Sequence, residues 1–321
     1  MNGPAVKRRL RRLLLNWFDR HKRDLPWRQD HDPYRVWLSE IMLQQTRVAA
    51  AIEHYQRFLK RFPTIKRLAA ARECSVLAAW SGLGYYRRAR MLHAAARKVV
   101  KDHAGKFPAT ARDLRALPGI GRYTAAAIAS IAFAEPVAAV DGNIERVLQR
   151  VYGESLSGES LWNAAQELLS QKRPGDFNQA MMELGAVVCL PRQPRCLLCP
   201  LTTLCATRGE RPRAAQPPRQ AKREVHYGFD YQDGSVFLTR RSNDATLMPG
   251  MWELPEISGV NGSAEAWLTL RHSVTVTDYV VRVVRMPVPE GTNGRWVPES
   301  RIATLPLTGL TRKILLAAKI I

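Results

Sequence analysis

The stretch VWLSEIML (36–43) sets a carboxyl inside an apolar helical pattern. Val36, Glu40 and Leu43 fall at i, i+4 and i+7 on one face, with Trp37 and Ile41 beside it. A carboxyl desolvated by such neighbours keeps its proton to higher pH and can serve as a general acid. The same spacing also fits a narrow solvated strip shared with Ser39. Asp141 stands differently. It precedes the apolar-periodic run GNIERVLQRVY, the place of a helix N-cap, where backbone amides hold an Asp ionised. Such an Asp can equally be a cap and nothing more. Two carboxyls pushed toward opposite protonation states are the equipment of acid–base chemistry near neutral pH.

The segment LRALPGIGRYTAAAIAS (114–130) reads as helix, tight turn, helix. Gly119 and Gly121 permit positive φ and leave backbone amides uncovered. The next helix begins near Arg122, so its free N–H groups and positive dipole end add to the same spot. That combination suits a phosphate and reads no base sequence. An ordinary helix–helix connection also uses glycine here.

Four of the five cysteines fall within 17 residues: Cys189, Cys196, Cys199 and Cys205. Four thiolates in one short loop suit Zn²⁺ or an iron–sulfur cluster better than a disulfide framework. Cys74 stands apart and reads as a buried bystander.

These groups need elements to hold them. Apolar periodicity predicts helices over 6–20, 34–45, 48–61, 75–81, 85–103, 110–116, 122–133, 142–152, 159–170 and 177–189, with no extended alternating pattern among them. Residues 206–222 are rich in Pro, Arg and Ala and read as a linker. Beyond it, 224–230, 235–241 and 277–288 read as strands, and 263–270 and 310–320 as helices. The expected organisation is a helical domain over 1–205, a linker over 206–222 and a small α+β domain over 223–321.

The chain has 321 residues and a net charge of +21. Its first thirty residues carry nine basic groups against three acidic ones. Such an excess points to a polyanion, since each neutralised phosphate releases a counterion. No run of 18 uncharged apolar residues occurs, which argues against a membrane span. The basic start is too broken for an export signal, so a cytoplasmic, nucleoid-associated monomer is the expectation.

The sequence LPGIGRYTAAAI resembles the helix-hairpin-helix of the endonuclease III superfamily of DNA glycosylases. VWLSEIMLQQT (36–46), GLGYYRRAR (82–90), VDGNIERV (140–147) and FNQAMMELGAVVC (177–189) are similar to the adenine DNA glycosylase (MutY) branch. The motifs run in the family's order over residues 25–205. The resemblance implies a base-excision-repair enzyme that hydrolyses the N-glycosidic bond of adenine mispaired with 8-oxoguanine or G in double-stranded DNA. It implies Glu40 as the acid protonating adenine at N7. Asp141 would be the carboxylate facing the sugar cation, with Asn143 its polar neighbour. Lyase-competent relatives carry a Lys where this chain has Tyr123. A phenol forms no Schiff base, so excision with little strand cutting is expected. The resemblance places adenine against Leu25, Trp27, Arg28 and Glu183. It gives DNA contacts to Gln44, Tyr86, Arg88, Gly119, Gly121, Arg122 and Thr124, with Gln45 and Tyr85 as adjacent alternatives. Tyr85 by itself reads as a core anchor. The cysteine spacing matches the superfamily's [4Fe–4S] loop, with Arg192 and Arg195 inside it.

The C-terminal region resembles a Nudix-like module, most clearly in LMPGMWELPE (247–256). The acidic helix that pyrophosphate hydrolysis needs is missing. The family's lesion-reading hairpin usually contains Phe-Ser-His; here it offers Val274, Thr275 and Val276. Weaker discrimination of 8-oxoguanine is therefore expected, or reading by Thr275 and His272. A thymine-mismatch glycosylase and a non-catalytic damage-binding protein are the competing expectations. The extra domain and the LPWR/Glu183 set argue against the first, and intact Glu40 and Asp141 against the second.

Overall fold

The computed structural model of the chain describes residues 3–209, 221–257, 266–274 and 277–321. Its contacts divide it into two units, Met1–Ala70 with Met91–Ala214 and Ala71–Arg90 with Ala215–Ile321. The first holds α1 (Pro4–His21), α2 (Pro33–Leu43), α3 (Val48–Arg61) and α4 (Ile65–Ala70). The short α5 (Glu73–Ala79) and the first turn of α6 (Arg87–Asp102) belong to the second unit. The rest of α6 returns to the first unit, followed by α7 (Ala111–Leu114), α8 (Arg122–Phe133), α9 (Gly142–Tyr152), α10 (Gly158–Leu168) and α11 (Pro174–Val187). Every predicted helix up to residue 189 has a counterpart. Helix α4 carries no comparable sequence signal, since its six residues give less than two turns of periodicity.

One core in this unit joins Leu10, Leu14 and Phe18 of α1 to Ile144, Val147 and Leu148 of α9, with α10 and α11 closing around them. Helix α2 starts where Pro33 follows the Asp32 cap, whose side chain accepts from the Arg35 amide at 3.0 Å. From Tyr34 to Met42 all its residues but Arg35 are buried. Helix α8 packs against both α2 and α11. Alanines at 125, 126, 127 and 129 let those helices come near. On α11, a Cβ built at Gly185 would lie 2.6 Å from the Asn143 Cβ, so α11 and α9 approach at bare backbone.

The hairpin corrects one expectation. Gly119 has φ 73°, but Gly121 has φ −84° and ψ 179°, extended backbone open to any residue. A Cβ at Gly119 would lie 2.6 Å from the Met91 Cβ, whereas one at Gly121 meets nothing within 4 Å. Gly121 is the N-cap of α8 and gives it no side-chain cap, so the first amides of that helix stay uncovered.

In the second unit, β1 (Ala221–Phe229) is followed by β2 (Tyr231–Gln232), β3 (Ser235–Arg240), β4 (Trp252–Glu253), β5 (Leu268–Val274), β6 (Thr277–Arg285) and β7 (Gly294–Pro298). Helices α12 (Glu299–Ile302) and α13 (Gly309–Ala317) end it. One sheet has the order β1-β6-β5, with β1 parallel and β5 antiparallel to β6. The other is built on β3, which pairs antiparallel with β2, β4 and β7. Val236 and Leu238 of β3, Val281 and Val283 of β6 and Ile314 and Leu315 of α13 share one core. The region is thus α+β, with every described strand beyond residue 220.

The helix expected over 263–270 is corrected where it is described. Residues 268–270 open strand β5, with Leu268 opposite Val283 and Leu270 opposite Val281. Leu268 and Leu270 pack on the core while Thr269 and Arg271 are exposed, a period of two that the Ala-Glu-Ala prefix obscured. Most of the expected linker over 206–222, and Thr275 and Val276, lie outside the described residues. No helix among the described residues is long and apolar enough to cross a membrane.

These geometries separate the two hairpin glycines. Gly119→Ala must bear both a positive φ and a clash with Met91, and should cost about 1–3 kcal/mol in a urea titration. Gly121→Ser adds a capping hydroxyl in open space and should stay within about 0.5 kcal/mol of the parent.

Candidate active site

Ten residues singled out in the sequence line one cavity of about 670 Å³: Leu25, Trp27, Arg28, Glu40, Gln44, Gln45, Tyr123, Asp141, Asn143 and Glu183. Helix α2 brings Glu40 to it, α8 brings Tyr123, the start of α9 brings Asp141 and Asn143, and α11 brings Glu183.

Glu40 is 7% exposed, and Ser39 beside it 2%, so the solvated strip does not exist. The Ser39 hydroxyl turns inward to its own helix, donating to the Val36 carbonyl at 2.8 Å. Burial pushes the Glu40 carboxyl up to about 7. The Tyr123 hydroxyl donates to Glu40 Oε2 at 2.7 Å and works against that rise, while the charge of Asp141 adds to it. Burial also drives the Tyr123 phenol well above its ordinary value, with the Glu40 charge next in effect. The phenol therefore stays a donor.

Asp141 caps α9 as its position predicts. Oδ1 accepts from the amides of Asn143 at 3.0 Å and Ile144 at 2.8 Å, and Oδ2 from Asn143 Nδ2 at 2.9 Å. Asn143 is itself held by Arg146, whose Nη2 donates to Asn143 Oδ1 at 2.7 Å and to the Gly185 carbonyl at 2.8 Å. The carboxylate is thus fixed in place while remaining part of the cavity wall.

Glu183 is 1% exposed. Burial opposes its charge, but Arg23 and then Arg28 outweigh it and hold the carboxyl below its usual range. Oε1 accepts from the Arg23 amide at 3.2 Å and Nε at 2.6 Å; Oε2 accepts from Arg23 Nη2 and Arg28 Nη2, both at 2.9 Å. Arg28 Nε donates to Gln179 Oε1 at 3.2 Å. Leu25 and Trp27 are buried, the indole packing edge-on to Tyr55. Arg23, Gln179 and Met182 line the cavity too and were missed by sequence reasoning. A signal for Arg23 existed, because a Glu inside the apolar helix MMELGAVV requires cationic partners.

The expected DNA contacts divide. The Thr124 side chain is buried and accepts from Gln44 Nε2 at 3.5 Å. Arg122 is committed to Glu159 and stacks over Trp162 at 4.0 Å. Gln45 has φ 56°, a left-handed conformation uncommon for a residue with a Cβ. In the second unit the two tyrosines reverse their expected places. Tyr86 is 3% exposed and its hydroxyl donates to the Leu307 carbonyl at 2.7 Å, so it is an anchor. Tyr85 has φ 46° and is 50% exposed. Arg88 braces this turn, donating to the Leu83 carbonyl at 3.1 Å with its guanidinium over Trp80 and Tyr85. His272 lies on β5 opposite Tyr279. Burial, then Lys313, lowers its pKa and favours the neutral ring.

Cys189, Cys196, Cys199 and Cys205 line one small cavity of their own, with Arg150 and Thr202. Arg150 Nη1 lies 3.3 Å from Cys189 Sγ and 2.7 Å from the Leu190 carbonyl. Among the described residues no three His, Cys, Asp or Glu side chains converge on a single-ion site. Cys74 is exposed, contrary to the expected burial.

The burial of Glu40 has a thermodynamic signature. Below its usual value of 4.5 the carboxyl is neutral in the folded and unfolded chain alike. As pH rises through about 7 the folded group ionises against its surroundings, and stability is lost across that interval. Glu40→Gln mimics the neutral form. It should be more stable than the parent by about 3 kcal/mol at pH 8 and by close to nothing at pH 4, in denaturant titrations at both values.

Residues 38–171 match the model of a family described as HhH-GPD superfamily base excision DNA repair protein. The chain is 51% identical over 210 residues to an adenine DNA glycosylase of Rattus norvegicus, covering 61% of this chain and 41% of that protein. It is 38% identical over 318 residues to one of Arabidopsis thaliana, covering 84% and 50%. The chain thus spans half or less of the length of these two curated relatives. Its fold superposes on a thermostable thymine-DNA glycosylase with a TM-score of 0.60 at 30% identity, covering 64% of this chain and 97% of the other.

Proposed function

We infer that this chain, which belongs to the HhH-GPD superfamily of base excision DNA repair proteins, is an adenine DNA glycosylase. The observation that carries the reading is one cavity walled by a protonatable Glu40 and an amide-held Asp141. Breaking an N-glycosidic bond needs a proton on the departing base and a negative charge near the oxocarbenium sugar. Glu40 supplies the proton, held by burial until a ring nitrogen replaces solvent as its acceptor. Asp141 faces the sugar, and Asn143 with Arg146 keeps it from following the charge. Trp27 and Leu25 form the apolar wall for the extruded base, with Glu183 and its arginines at the edge. Tyr123 offers no amine, so the product is an abasic site with its strand intact.

The base must leave the duplex first, and an aromatic side chain can fill the gap. The exposure and left-handed turn of Tyr85 favour it over Tyr86 for that task. The uncapped amides following Gly121 suit a phosphate.

The four cysteines fit a [4Fe–4S] cluster. Four thiols from one loop line one cavity, and four cysteine thiolates are the donor set that such a cluster takes. When bound, the cluster cross-links the loop through four thiolates. Arg150 neutralises charge at Cys189 and ties the loop to α9. The C-terminal α+β unit is read as a Nudix-like module that inspects the base opposite adenine. A neutral His272 would be a hydrogen-bonding reader there and not a cation.

Duplexes carrying A·8-oxoG, A·G, T·G and C·G test this when alkali follows incubation. Cleavage of the adenine strands alone, and only after alkali, is expected. Cleavage of the T strand would support a thymine glycosylase, and binding without cleavage would leave a damage-binding protein. Glu40→Gln should lower the single-turnover rate about 10²–10⁴-fold while binding persists. The parent's rate should fall about tenfold per pH unit above pH 7 as the acid is lost.

A further inference from the structure

A second cleft of about 620 Å³ opens on the first unit between α7, α8 and α10. Its polar walls are Arg112 and Arg115 on the α7 side, Arg122 at the start of α8, and Trp162, Asn163 and Gln166 on α10. These groups are not equivalent. Gln166 is spent on the backbone, accepting from the Ala138 amide and donating to the Pro136 carbonyl, both at 2.8 Å. Arg122 is pinned between Glu159 and the Trp162 ring. Arg112 and Arg115 are exposed, and neither makes an ion pair with a described residue. The cleft therefore has a rigid aromatic–guanidinium wall and two uncommitted cations facing it.

Its position decides what those cations serve. Arg112 and Arg115 lead into the hairpin, Arg122 leads out of it, and the turn between them is the one with uncovered amides. The cleft thus continues the surface on which the hairpin would hold a phosphate. We propose that Arg112 and Arg115 bind the DNA backbone at phosphates flanking the one held by the hairpin amides, with the Arg122–Trp162 stack as the fixed wall of that groove. The proposal rests on the DNA glycosylase reading. The backbone is favoured over an acidic protein because the cleft shares its helices with the hairpin and because each arginine can neutralise one phosphate at no cost in lost ion pairs.

Glu40→Gln protein keeps the substrate intact and allows binding to be measured on A·G duplexes against salt. Adding Arg112→Gln and Arg115→Gln should flatten the slope of log K against log salt by about 0.9 for each lost phosphate contact. Arg112→Lys with Arg115→Lys should restore it, since charge and not shape is required. A scan with neutral methylphosphonate linkages should find one or two positions beside the hairpin-bound phosphate where binding weakens. At those positions the Gln variant should lose nothing further. Both arginines are exposed, so melting temperatures should match. An unchanged slope, or equal losses in variant and parent at every linkage, overturns the proposal. So does an unchanged slope accompanied by lost binding of a poly-glutamate peptide, which would give the cleft to an acidic protein. Failure of the Glu40→Gln parent to bind the mispair would instead remove the glycosylase reading beneath it.

Discussion

A carboxyl buried on α2, as Glu40 is, would ordinarily be a liability, because burial raises the free energy of its charged form and leaves polar atoms without water. Here the closeness of α8 to α2 gives that carboxyl a partner. Small residues along α8 let the two helices meet, and the Tyr123 hydroxyl then reaches Glu40. That single donor satisfies the carboxyl without pinning its proton away from the cavity.

Helix α9 gives the second half of the site its rigidity. Asp141 begins it, Asn143 and Arg146 follow at the same end, and Arg150 comes one turn later. Arg146 also donates to the Cys189 carbonyl at 2.8 Å, and Arg150 to carbonyls at Leu190 and Pro191. The cysteine loop and the Asp141 cap are therefore braced by side chains of one helix. The bare contact at Gly185 brings α11 close enough for its carbonyl to join them. A change in the loop has a short, hydrogen-bonded route to the carboxylate.

Much of this was legible in the sequence because the grammar involved is local. Helix period placed Glu40 among apolar neighbours, and cap position placed Asp141, within a few residues of each. The hairpin was recognised, but glycine alone could not say that Gly119 is needed for its positive φ while the backbone at Gly121 would admit any residue. Tyr85 and Tyr86 were confused because adjacent aromatics have equal claims until the backbone is known; a left-handed turn then sends one outward. Glu183 called for a cation from the sequence, but nothing local could name Arg23, which lies 160 residues away. The helix expected over 263–270 gives way to strand at 268–270 because helix propensity there competes with a two-residue alternation.

The hydrogen bonds at Glu183 have a consequence for what the cavity can accept. A carboxylate has about four lone-pair sites, and the Arg23 amide, Arg23 Nε, Arg23 Nη2 and Arg28 Nη2 occupy that number. The oxygen of Gln179 is engaged as well. A heterocycle sliding against this wall meets saturated oxygens, so an exocyclic amine gains no acceptor there. Ring nitrogens with free lone pairs can meet guanidinium hydrogens instead. Selectivity at this edge would then arise from the arginines, with the buried acid serving as their clamp.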